Sequence, residues 1–93
     1  MTVYNINGTA DNKCSCGSWK QHWINYSGTS WPHYCCVRGC MHRAEVGAHV
    51  QKANGSNRWY IAPFCSSHNN KTYSLEISDA TKLVSANRSE TCG

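Results

Sequence analysis

Long hydrophobic runs are absent from this chain. No stretch approaches the roughly 20 apolar residues of a bilayer-spanning helix, which excludes a helical membrane span. Aliphatic side chains are also sparse, and most of the apolar mass comes from four Trp and five Tyr. Ninety-three residues make one domain, and a domain this small buries only a modest share of its surface. Its core is therefore expected to need staples. The opening Met1 to Gly8 has neither a basic start nor an apolar run, so no secretory signal is visible and a soluble, cytoplasmic protein is expected. Repeats, low-complexity tracts and linkers are missing too, which leaves residues 1–93 as a single domain. Carboxylates are few: five Asp or Glu stand against nine Lys or Arg, for a net charge of +4. That mild excess permits a nucleic-acid partner without requiring one.

What the chain does have is Cys and His, seven of one and five of the other. An odd Cys count leaves one thiol over in any pure disulfide scheme. Cys with His at short spacing is ligand-like. The Asn-X-Ser/Thr triplets at Asn7, Asn25, Asn54, Asn70 and Asn87 would suit a secreted chain, but they arise easily by chance in a sequence this rich in Asn and Ser. Metal is the expected staple. A tetrahedral structural zinc takes four N or S ligands, and Cys36 (or Cys35), Cys40, Cys65 and His68 make such a set. Gly39 before Cys40 suits the tight, positive-φ turn of a zinc knuckle. Cys14, Cys16 and Cys92 are left for a second zinc or for a disulfide that pins the tail.

Val3, Tyr4 and Ile6 read as an extended arm or edge strand. Ser18 to Gly28 reads as a helix between an N-cap Ser and a stopping Gly, with Trp19, His22, Trp23 and Tyr26 on one face. That face is expected to be a core stripe, with a reach by His22 into a metal or active site as its rival. Ala44 to Gln51 alternates like a strand, placing Val46, Ala48 and Val50 on one side and Gly47, His49 and Gln51 on the other. Asn54 to Asn57 is a turn, and Arg58 to Phe64 the returning strand, its ladder ended by Pro63. A helix opens after Cys65, capped by Ser66 or Ser67. Leu75 and Ile77 alternate in the tail.

A Cys pair on a knuckle, a strand ending in Ala48-His49-Val50, a loop, a strand ending in Pro63-Phe64-Cys65 and then His68-Asn69 at a helix start resembles the HNH endonuclease ββα-metal finger. The resemblance covers about residues 35–73. It implies an α+β, zinc-bound domain with an HNH-like finger, an N-terminal aromatic helix and a C-terminal tail tied back through Cys92. By position, His49 matches the family's general base, which takes a proton from the attacking water. Asn69 matches a residue on the catalytic divalent metal, and Asn57 or Tyr60 falls near the family's middle Asn. Ala48 departs from the pattern, because the family often has a metal ligand there. A hard catalytic ion usually requires a carboxylate, so either catalysis is lost or a ligand comes from elsewhere, with His22 and Asp79 the nearest candidates.

The resemblance therefore implies a zinc-binding module that binds nucleic acid, DNA before RNA, or regulates a nucleic-acid-processing protein, with a degenerate catalytic site. An active endonuclease with a second divalent ion is the alternative, and a protein-binding inhibitor or adaptor the third. Arg38, Arg43, Lys52, Arg58 and Lys71 are the candidate phosphate contacts.

Overall fold

The computed structural model describes residues 1–6, 15–55, 57–71, 73–87 and 91. Its elements are β1 (Thr2–Asn5), α1 (Trp19–Ser27), β2 (Val46–Lys52), β3 (Trp59–Phe64), α2 (Ser66–Asn69), β4 (Ser74–Glu76) and β5 (Val84–Ser85). The strands form one antiparallel sheet in the order β4-β1-β2-β3-β5. The architecture is α+β, as expected. β1 is interior rather than an edge, because the tail returns as β4 along its outer side.

The β2–β3 hairpin is the centre of the sheet, pairing Val46 with Phe64 through to Gln51 with Trp59. Gly55, at φ 90°, makes the positive-φ turn between them. Pro63 does not end this ladder. Its carbonyl accepts from Cys36 N at 3.0 Å, on the side away from β2. A residue's N–H and C=O point to the same side of a strand, so the missing Pro N–H would also have faced away from the ladder. β5 reaches only as far as Ile61, leaving Pro63 clear of it.

Strand alternation sorts the core into two layers. On one face Val3, Ala48, Val50, Ala62, Phe64, Leu75 and Ile77 pack with Cys35 and Cys65. On the other, Trp23, Ile61 and Val84 are buried with Trp19, Ile24 and Trp31 around them. That second layer is the work of α1. Ser18 caps the helix by accepting from Gln21 N at 3.0 Å, and Gly28 ends it at φ 76°. His22 and Trp23 are buried, but Tyr26 is 44 % exposed, so the expected four-residue stripe is only partly a core face. The indole N–H groups of Trp23 and Trp31 donate to the carbonyls of Lys82 and Ala44, both at 2.9 Å. Indoles satisfied in this way give apolar area without a polar penalty.

The side of β2 carrying Gly47 and His49 is thus covered by α1. Gly47 makes this possible, since a Cβ there would lie 2.6 Å from Trp19 C and 2.7 Å from Lys20 N. A glycine inside a strand often marks such a backbone approach.

The tail is held by backbone pairing. Ile77 N donates to Met1 O at 2.8 Å, Ser78 N to Cys36 O at 2.9 Å, and Ala86 N to Trp59 O at 2.9 Å. Cys92, the residue expected to pin it, lies outside the described residues, as does Cys14. No helix among the described residues is long and apolar enough to cross a membrane.

Candidate metal centre

Two local structures bring four ligand atoms together. The first is a knuckle closed where Tyr34 bridges Arg43 and Cys35 N donates to His42 O at 2.9 Å. Inside it Cys40 N donates to Val37 O at 3.0 Å, with Gly39 at φ 79°. The second is the end of β3, where Cys65 leaves the strand and becomes the N-cap of α2. Its Sγ accepts from His68 N at 3.4 Å, so the cap is this thiol rather than Ser66 or Ser67. One turn of helix then carries His68 back beside Cys65.

The ligand atoms of Cys35, Cys40, Cys65 and His68 all lie within 4.8 Å of one another. Cys65 Sγ is 3.2 Å from His68 Nδ1, Cys35 Sγ is 3.7 Å from the same nitrogen, and Cys40 Sγ is 3.9 Å from Cys65 Sγ. A tetrahedral ion with metal–sulfur bonds of about 2.3 Å and metal–nitrogen bonds of about 2.0 Å spaces its ligands by roughly 3.8 Å (S to S) and 3.5 Å (S to N). The observed separations scatter around those values. The residues present fit a metal ion held by three sulfurs and one nitrogen.

Of the two adjacent thiols, the cluster takes Cys35, the alternative to Cys36. Cys36 points elsewhere and bonds to Thr81. It lines a cleft of about 800 Å³ with Pro32, Tyr34, Arg38, Pro63 and Lys82. Burial pushes the Cys36 thiol up to about 12 and the Cys35 thiol up to about 11. A ligand must be thiolate, so metal binding at Cys35 releases a proton that burial otherwise retains. Cys16 is half-buried and outside the cluster, and Cys35, Cys36, Cys40 and Cys65 are free thiols.

The other expected site residues are not brought together. Asn5 pairs with Val50, on the face opposite His49, and its Nδ2 donates to the carbonyl oxygens of Asn69 and Lys71. α2 thus lies beside the Ala48–Val50 face, while His49 projects under α1. The His49 ring is 4.5 Å from Trp19 and 6.1 Å from Trp59, centroid to centroid, and the residue is 5 % exposed. Burial first, and the His22 charge second, lower its pKa to about 4. A base that must reach water is poorly served there. His22 Nε2 lies 2.8 Å from Ser85 O, far in the fold from the Cys/His cluster, so its expected core role is the one it fills. Asn57 is exposed near the hairpin turn, and Tyr60 packs under the Lys52 ammonium at 4.9 Å.

Nor do the basic residues form one patch. Arg38 bonds Asp79 at 3.0 Å beside the knuckle. Lys52 and Arg58 flank the β2–β3 turn, at the other end of a ladder about 17 Å long.

The packing of His49 against Trp19 of α1 was not anticipated. Gly47 carried the signal: a glycine two residues before a strand His, where a helix could approach. Comparison with known families, characterised proteins and solved structures finds no match.

Proposed function

We propose that this chain is a zinc-stapled, HNH-like module that binds nucleic acid and does not cleave it. The observation that carries the reading is the closed Cys35–Cys40–Cys65–His68 set. With four protein ligands, a zinc there has no open position for water or substrate, so its role is structural. Bound there, the ion would neutralise the thiolates and join the knuckle to the β3–α2 corner. The rest is done by the chain. His49, the position matching the family's base, is buried between Trp19 and Trp59, and Asn69 lies by the opposite face of the sheet.

The charge balance supports a polyanionic partner. Net charge is +4, and Glu76 and Asp79 are both engaged by the amino terminus and Arg38. The test is a binding titration with labelled DNA and RNA at several salt concentrations, beside a plasmid-nicking assay with Mg²⁺ and Mn²⁺. Salt-sensitive binding without nicking is the expected result. Nicking that His49→Ala abolishes would overturn the reading. The cleft beside the knuckle, with Pro32, Tyr34 and Pro63 in its walls, favours a protein-binding adaptor as the second reading. A stable protein complex from a chain that binds no oligonucleotide would select it.

A further inference from the structure

We infer that Asn54 is a self-modification site: its side-chain amide closes on the Gly55 nitrogen, loses ammonia and leaves a carboxylate at the tip of the β2–β3 turn. Asn is among the thermally labile side chains, and the residue that follows decides how easily its main-chain nitrogen is reached. Gly alone leaves that nitrogen without a neighbouring Cβ. Among the described residues, Asn54 is the one Asn followed by Gly. Asn7, before Gly8, lies outside them.

The fold keeps this pair open. Asn54 and Gly55 are both exposed, and a Cβ at Gly55 would meet nothing within 4 Å. The β2–β3 ladder ends where Gln51 pairs with Trp59. On the β2 side, Ala53 N is held by Thr2 O at 3.0 Å, just short of the tip. Ring closure at Asn54 therefore breaks no rung of the sheet. Gly55 sits at φ 90°, where a side chain is strained, so the turn demands the residue that leaves Asn54 labile. Other Asn residues differ. Asn5 is buried and bonds the carbonyls of Asn69 and Lys71. Asn25 lies within α1 and accepts from Gln21 Nε2 at 2.9 Å. Asn57 and Asn87 are exposed, but each precedes Arg.

The step is intramolecular, with water as its only co-reactant. The Gly55 nitrogen gives its proton to solvent and attacks Asn54 Cγ, forming a five-membered imide. The Cγ–Nδ2 bond breaks, and the departing nitrogen takes up a proton and leaves as ammonia. Adjacent residues hold nucleophile and electrophile together, which spares the entropy of an encounter. Water then opens the ring. Addition at Cγ restores the ordinary peptide link as Asp. Addition at the main-chain carbonyl gives a β-linked Asp, whose main chain is one carbon longer. Either product takes one unit from the net charge of +4.

The experiment ages the metal-loaded full chain at neutral and mildly alkaline pH, then assigns each conversion by peptide mapping with fragment-ion mass spectrometry. Asn54 should convert roughly tenfold faster than Asn25, Asn57 or Asn87, equivalent to about 1.4 kcal/mol off the barrier. The rate should rise with pH, and both Asp and β-linked Asp should form. Asn54→Gln should block conversion at this position, because its extra methylene enlarges the ring that must close. Mapping reads Asn7 separately. Constant metal content shows that the aged chain is still folded, since the turn and the Cys/His cluster stand at opposite ends of the ladder. Conversion at Asn54 no faster than at Asn57 would overturn the inference, and so would conversion confined to chain unfolded in urea.

Discussion

Replacing Gly47 with alanine puts a methyl group where the backbone of α1 already lies. Its Cβ would stand 2.6 Å from Trp19 C and 2.7 Å from both Trp19 O and Lys20 N. Carbon contacts are comfortable at about 3.5–4.0 Å, so helix and strand must part by about 1 Å. The obstacle is backbone, which cannot turn aside as a side-chain tip would. Overpacking of this kind costs about 1–3 kcal/mol, while the stiffer unfolded chain returns up to about 1. A net loss near 2 kcal/mol lowers the melting temperature of a domain this size by roughly 10 °C. The helix cannot shift without loosening the Trp19–His49 contact and the His22–Ser85 hydrogen bond. Thermal unfolding followed by near-ultraviolet circular dichroism reads both effects. Metal content should stay constant, because the Cys/His cluster packs with the opposite core layer. An unchanged or raised melting temperature would refute the packing of α1 on β2.

Three other outcomes follow from the same geometry. Cys35→Ser should abolish stoichiometric metal binding and cooperative unfolding, whereas Cys36→Ser should retain metal and cost under about 1 kcal/mol, measured by metal analysis and urea titration. Stripping the metal with a chelator should unfold the chain, since structural zinc in small domains supplies about 10–16 kcal/mol, as much as such a fold's whole stability; circular dichroism reads the loss. Acid should weaken the fold through His49, whose pKa falls from 6.5 to about 4 on folding. The unfolded chain then takes up the proton first, so stability is full above about pH 6.5 and falls by up to about 3 kcal/mol towards pH 4. His49→Gln should flatten that part of the pH profile relative to wild type in urea titrations at matched pH, with acid loss of metal common to both.

Much of the fold was legible in local signals. Ser18 and Gly28 bounded α1, and the turn around Gly55 set the β2–β3 hairpin, because caps and turns are decided by a few adjacent residues. Cys40, Cys65 and His68 were legible for the same reason: each sits at a turn whose geometry its neighbours impose. The choice between Cys35 and Cys36 was not. It depends on Cys36 N reaching Pro63 O and Cys35 N reaching His42 O, contacts that spacing alone does not encode. The place of β1 was hidden likewise, because β4 comes from the far end of the chain to cover its edge. Alternation put His49 opposite Val46, Ala48 and Val50 without saying what covers that side. α1 covers it, and Gly47 is the trace of that in the sequence.

Under the proposed function, three sulfurs and one nitrogen close around a single zinc. X-ray absorption at the zinc edge of purified, stoichiometrically loaded protein tests it directly. The expected result is one ion per chain with about three sulfur scatterers near 2.3 Å and one imidazole nitrogen near 2.0 Å. A shell containing water oxygen, or a protein that retains no zinc, would contradict it.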